Sequence, residues 1–404
     1  MTTTTSSPTN SRPTYSPYDY EIHEDPYPTY ARLRVEAPLY RNDELDFWAL
    51  SRHADVSAAF RDSATFSNSH GVSLDKLASG PHAHKTMSFL AMDPPRHTRM
   101  RALVSRGFTP RRVVDLEPRI RELAIDYLDK AMEAGELDLI GDFAGKLPMD
   151  VISELMGVPV VDRDELRRLA DLLVHREEGV HDVPQAGIEA ALILAGYYAD
   201  MIAERRANPT DDLTSALLVA EIDGDRLDDD DIVAFLFLMV VAGNETTTKL
   251  LGNAAYWAQV HESQRVAVWS GAASVDAWVE ETLRFDGSSQ MLARITMHDV
   301  DMHGGTIPAG DRVLLLVGAA NRDGEVFHRP EEYDLGRDTT QMMSFGAGRH
   351  FCMGASLARL EARVALAELV GRCAHYEIDL DRTLRVHSVN VRGFASLPAT
   401  VVPR

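Results

Sequence analysis

Apolar residues recur at helical spacing through most of the stretch from Pro110 to Val260 and again from Ala355 to Leu366. Short apolar runs bounded by turn residues lie outside these stretches. Phe47-Trp48-Ala49-Leu50 reads as a strand, and Asp299 to Ile307 reads as two strands around a Gly304-Gly305 turn. The pattern predicts a mainly α chain with a smaller β region. Its longest uninterrupted apolar run, Ile232 to Ala242, predicts a long central helix and falls well short of the roughly 20 residues that a membrane span needs.

Composition narrows the classes. With 404 residues, of which 45% are hydrophobic, the chain can bury a large core, and length alone suggests two or three domains. No internal repeat and no interdomain linker is visible. Met1 to about Pro17 is rich in Thr, Ser and Pro without an apolar stretch, which predicts a disordered leader. The N-terminus lacks the basic start and apolar core of a secretory signal, and Cys352 and Cys373 are the only cysteines, so a cytoplasmic protein without a disulfide framework is expected. A formal charge of −21 argues against nucleic acid and anionic membranes as partners.

The candidate chemistry centres on Cys352, in the string Phe345-Gly346-Ala347-Gly348-Arg349-His350-Phe351-Cys352-Met353-Gly354. A ligand loop pressed against a flat macrocycle has little room for side chains, a need that Gly346, Gly348 and Gly354 meet. The helical pattern that follows places Cys352 near a helix N-terminus, where backbone N–H groups stabilise a thiolate. A thiolate bound to haem iron favours oxygen–oxygen bond cleavage over oxygen carriage.

At this decapeptide the chain resembles the cytochrome P450 family, the haem-thiolate monooxygenases, whose F-G-x-G-x-H-x-C-x-G signature is matched at every fixed position. Other family motifs follow in order. Glu281-Thr282-Leu283-Arg284 matches the E-x-x-R pair, which the resemblance makes a buried structural pair with Arg337 as its partner. Ala242-Gly243-Asn244-Glu245-Thr246-Thr247 resembles the oxygen-binding groove. There Thr246 would be the hydrogen-bonding alcohol, Glu245 the proton source, and the small Ala242 and Gly243 would let oxygen and water approach the helix. His97 and Arg101 match the H-x-x-x-R motif, and together with Arg294 and His350 they match the positions that hold the haem propionates.

The resemblance spans roughly Pro26 to the C-terminus. It implies one mixed unit over residues 18–404, the cytochrome P450 fold, with haem b (iron protoporphyrin IX) between the central helix and the cysteine loop. It further implies a monomeric enzyme inserting one oxygen atom from O2 into a lipophilic small molecule by hydroxylation or epoxidation. No flavin domain or iron–sulfur cysteine cluster is present in the sequence, so electrons from NAD(P)H are expected through a separate ferredoxin reductase and ferredoxin. A peroxide-driven peroxygenase and a non-catalytic haem-based sensor are the alternatives.

Two regions stay open between readings. Phe235, Leu238, Met239 and Ala242 fall at helical spacing on the face leading to Thr246. They would roof a substrate pocket walled by Met291, Leu292, Phe394 and the 72–90 loop, or else belong to the core. Between Asp93 and Arg112 six arginines meet one acid. Arg99, Arg106 and Arg112, with Arg349 and Arg359, would form a docking patch for an acidic ferredoxin, or a solvated face balancing nearby acids.

Overall fold

The computed structural model describes residues 13–105 and 109–404. Helices dominate, as the periodicity predicts, and the longest of them, Asp229–Val260, runs through the centre of the largest core cluster. Its start is fixed locally. The Asp228 side chain accepts from the Asp231 N–H at 2.7 Å, and Asp229, Asp230 and Asp231 occupy the first turn, where carboxylates complement the helix dipole. Buried residues occur all round the central stretch of this helix because other helices surround it. Lys146–Met156, Arg163–Val174, Gln185–Ala207, Val275–Phe285 and Ala355–Arg372 all pack against it.

The β region is a five-stranded sheet in the order Leu39–Asn42, Phe47–Leu50, Arg312–Leu315, Leu292–Thr296, Phe66–Ser67. Pairing is antiparallel except between Arg312–Leu315 and Phe47–Leu50, where Leu314 faces Ala49 in parallel register. A three-stranded sheet joins Cys373–Ile378, Pro398–Pro403 and Glu136–Asp138. The expected hairpin forms between Val300–Met302 and Gly305–Ile307, but its turn is His303-Gly304 rather than Gly304-Gly305. Both turn residues have positive φ (49° and 75°), the backbone that lets a two-residue turn follow the twist of its strands.

The expected leader divides. Residues 1–12 lie outside the described residues, whereas residues 13–17 are held by an aromatic cluster that sequence periodicity cannot reveal. Tyr15 is buried among Tyr30, Tyr40 and Phe47, and its N–H donates to the Tyr40 hydroxyl at 3.0 Å.

Two described helices, Gln185–Ala207 and Asp229–Val260, are long and apolar enough to cross a membrane by length and composition. Most of the second is buried in the core, which accounts for its apolar character.

Candidate functional site

The cysteine loop is shaped by two glycines. Gly346 and Gly348 both have φ of +68°, and a Cβ on Gly348 would stand 2.7 Å from the Phe60 carbonyl oxygen, so this turn excludes side chains twice over. The Cys352 N–H donates to the Phe345 carbonyl at 2.9 Å and closes the loop. Helix Ala355–Arg372 follows directly.

Cys352 is accessible to solvent. Desolvation by surrounding protein pushes its thiol up from the ordinary value, opposed by the backbone N–H groups of Gly354 and Ala355 and by the positive charges of Arg101 and Arg359. On the central helix Ala242 likewise keeps accessible surface, between buried Val240 and Asn244. The thiol on the loop and the alanine on the central helix are thus both left uncovered by the protein's own side chains.

The polar groups around the loop carry a second signature. The rings of His97 and His350 lie with centroids 4.0 Å apart and tilted by 45°, and none of their four buried ring nitrogens has a hydrogen-bond partner among the described residues. Burial lowers both imidazoles, His350 to about 3, with His97, Arg294 and Arg101 adding repulsion at His350. Arg294 is 3% exposed and forms no ion pair among the described residues. Its Nη1 donates to its own neighbour's carbonyl, Ala293, at 2.7 Å, and burial lowers it to about 10, with Asp93 opposing from a distance. Buried donors left unmatched cost free energy unless an acceptor arrives, and here imidazole and guanidinium groups converge with Asp93 as a charged neighbour but with no ion pair to a carboxylate among the described residues. A flat macrocycle carrying two carboxylates and needing a thiolate supplies what these groups lack, so the residues fit haem. Arg101 differs, since its Nη2 donates to the Phe351 carbonyl at 2.7 Å and its guanidinium lies over Phe89, bracing the loop.

Below the loop, Glu281 accepts from Arg284 at 2.6 and 2.8 Å, from Arg337 Nε at 3.2 Å and from the Asp334 N–H at 3.0 Å. Glu281 and Arg284 are each 1% exposed. The expected three-residue cluster thus forms as an ion pair with backbone anchors, Arg284 also donating to the carbonyls of Asn321 and Pro330.

Thr246 and Glu245 are neighbours in sequence but face different groups. The Thr246 hydroxyl donates to the Ala242 carbonyl at 2.8 Å, one turn back on the side of Ala242 and Gly243. Glu245 is 1% exposed, accepts from Asn244 Nδ2 at 3.0 Å, and has Lys249 Nζ at 3.5 Å. Its carboxyl is raised to about 7 by burial, with Lys249 opposing and Asp171 adding to the rise.

Of the pocket candidates, Leu238 and Leu292 keep partial surface and Met239 is 9% exposed, while Phe235, Met291 and Phe394 are fully packed. Phe235 lies 6.2 Å from Phe89, Met291 sits in the aromatic cluster of Tyr15, and Phe394 lies 4.7 Å from Tyr256. In the arginine island Arg349 and Arg112 are exposed, Arg99 is bridged to Asp225 at 2.7 Å, and Arg359 is bridged to Glu280 and lies 4.5 Å over Phe345. Arg106 falls outside the described residues.

Sequence reasoning missed Glu361, a buried carboxyl on the cysteine helix. Burial raises it well above the ordinary carboxylate range, with Thr247 of the central helix opposing the rise. The available signal was an acid among Leu357, Leu360, Val364 and Ala365 on an otherwise apolar face.

Comparison with known proteins agrees with this geometry. The family model for Cytochrome P450 matches residues 274–394. Cytochrome P450 123 of Mycobacterium tuberculosis is 58% identical over 389 residues, covering 96% of this chain and 97% of its own. Vitamin D(3) 25-hydroxylase of Pseudonocardia autotrophica is 40% identical, covering 94% and 95%. The crystal structure of CYP109E1 from Bacillus megaterium in complex with corticosterone superposes with a TM-score of 0.82 at 31% identity, covering 94% of this chain and 99% of that one. The chain belongs to the cytochrome P450 family and is an oxidoreductase of the monooxygenase class. Members of this family use haem and O2, take electrons from redox partners and act on small molecules.

Proposed function

We propose that this cytoplasmic P450 hydroxylates a lipophile of steroid or secosteroid size, with electrons passed from NAD(P)H through a separate ferredoxin reductase and ferredoxin. The observation that carries the reading is the convergence of Cys352 with the unpartnered imidazoles of His97 and His350 and the unpaired guanidinium of Arg294. Haem held there by the Cys352 thiolate would supply the activation of dioxygen.

The chain's own residues do the rest. Arg294, His97 and His350 would hold the two propionates, and Arg101 braces the loop through Phe351. Thr246 presents a hydroxyl beside the small Ala242 and Gly243, and Glu245 holds a proton near neutral pH. Leu238, Met239 and Leu292 offer apolar surface to the substrate. The size class follows from the 25-hydroxylase relative and the corticosterone-bound neighbour. An acid–alcohol pair favours dioxygen over peroxide as oxidant, and a non-catalytic sensor has no use for it.

The test is the absorption spectrum of the reduced protein under carbon monoxide, followed by titration with vitamin D3 and corticosterone. A strongly red-shifted Soret band that Cys352→Ser abolishes, and ferredoxin-dependent hydroxylation of a sterol, are expected. A histidine-like band would overturn the ligand assignment. Turnover driven equally well by peroxide would favour the peroxygenase, and binding without turnover the sensor.

A further inference from the structure

Away from the cysteine loop, two imidazoles face one another through like nitrogens. His23, in the last turn of helix Tyr20–Glu24, places Nδ1 3.4 Å from Nδ1 of His387. The bond between His23 Nε2 and the Pro17 carbonyl, 2.9 Å long, fixes the tautomer. A carbonyl only accepts, so Nε2 carries the proton and Nδ1 of the neutral ring presents a lone pair. His387, with its proton on Nε2, presents a second lone pair at the same point.

Both rings are held in place by the fold. The His387 ring stacks on Tyr20 with centroids 3.6 Å apart and planes within 6°, and the Tyr20 hydroxyl donates to the Arg176 carbonyl at 3.0 Å. The backbone is fixed as well, since the His387 carbonyl accepts from the Arg176 N–H at 2.7 Å and the His23 carbonyl accepts from Arg392 Nη1. Those two guanidiniums are each matched by a carboxylate, Arg392 by Asp286 at 2.7 Å and Arg176 by Asp75 at 2.6 Å, so neither leaves an unbalanced charge to repel a cation. His23 is buried and His387 half-buried, which leaves one side of the pair open to water. The spacing selects the occupant. For a direct hydrogen bond between the two nitrogens, 3.4 Å is long. Two nitrogens bound at about 2.0–2.1 Å to one tetrahedral ion stand about 3.3–3.4 Å apart, whereas a linear pair stands about 4 Å apart and a square one about 2.9 Å.

We propose that His23 and His387 form a binding site for one borderline divalent cation, Zn2+, with both Nδ1 atoms as ligands and water in the remaining tetrahedral positions. No third histidine, cysteine or carboxylate among the described residues joins the pair, so solvent completes the shell. Hard cations such as Mg2+ prefer oxygen ligands and are passed over. The Pro17 carbonyl keeps its bond to His23 Nε2 and serves as the outer contact that orients the ligand. The ion joins helix Tyr20–Glu24 to the segment around His387, and through the His387 carbonyl to the segment after helix Arg163–Val174. Neither haem nor substrate takes part.

The test is calorimetric titration of the haem-loaded, chelator-washed protein with Zn2+, with thermal unfolding alongside. One equivalent should bind saturably in the parent protein, and the unfolding midpoint should rise with Zn2+ concentration. His23→Gln and His387→Gln should each weaken that equivalent on the order of tenfold or more. If His23→Gln does not fold, His387→Gln decides alone, because its side chain is half-buried and its backbone bond to Arg176 is untouched. Mg2+ at the same concentration should leave both readings unchanged. The absence of a saturable equivalent below millimolar Zn2+, an equivalent that survives His387→Gln, or equal binding of Mg2+ overturns the site.

Discussion

Arg176 places Nε 3.1 Å and Nη2 2.6 Å from the two carboxylate oxygens of Asp75, a bidentate ion pair 5% and 1% exposed that joins the 72–90 loop to the segment after helix Arg163–Val174. Tyr18 donates to the same carboxylate at 3.1 Å, and the Arg176 N–H donates to the His387 carbonyl at 2.7 Å. Phe89, in the same loop, packs on Phe235 of the central helix. The pair therefore fastens the 72–90 loop to the segments that carry Tyr18 and His387.

Removing one partner leaves the other charge buried. Asp75→Asn should cost about 3–5 kcal/mol of stability, and Asp75→Asn with Arg176→Met should recover a large part of it. Denaturant unfolding of the three proteins checks this. In the single variant, bound lipophile should also dissociate faster, measured by stopped-flow absorbance.

Glu281 is the sole carboxylate serving Arg284 and Arg337 among the described residues. Glu281→Gln should cost on the order of 3–5 kcal/mol and release haem on mild heating. Calorimetry and the Soret absorbance report the two effects, and Arg284→Lys should do the same through loss of its fork of donors.

Thr246→Ala removes the hydroxyl without disturbing packing, since Thr246 bonds only its own helix. Substrate affinity should hold while product per electron falls roughly tenfold and peroxide rises. Comparing NAD(P)H consumed with product formed decides it.

Acid should loosen the N-terminal segment. His23 Nε2 donates to the Pro17 carbonyl at 2.9 Å and its Nδ1 faces His387 at 3.4 Å. Burial lowers this imidazole to about 4, with the Pro17 bond opposing and His387 and Arg392 adding to the fall. The unfolded chain takes up this proton near pH 6.5, so the neutral ring's stabilisation is complete above that value and is lost as pH falls toward 4. At pH 5 the loss is about 2 kcal/mol. Thermal midpoints between pH 7.5 and 5 should fall less steeply in His23→Gln, which keeps a donor and cannot titrate.

Much of the site was legible because its parts are local. Gly346 and Gly348, Cys352 before a helix, and Glu281 with Arg284 on one helical face are each written within a few residues. Distant partners were not. Asp75 meets Arg176 across a hundred residues, and Tyr15 is fixed by rings from three segments. The apolar stripe of the central helix could not say which members face the open space, because Phe235 and Leu238 carry the same periodicity and differ only in what packs on them.

Glu280 and Glu281 are consecutive, one bound to Arg359 near the surface and the other to Arg284 in the interior. An acidic electron carrier drawn to Arg359 would have to displace Glu280, as it would displace Asp225 at Arg99. At these two arginines docking would exchange one carboxylate for another and leave the number of ion pairs unchanged. Its dependence on ionic strength should be shallower than a count of arginines suggests. Because Glu281 keeps its own partners, such an exchange releases the outer hold on the helix and leaves the inner one in place.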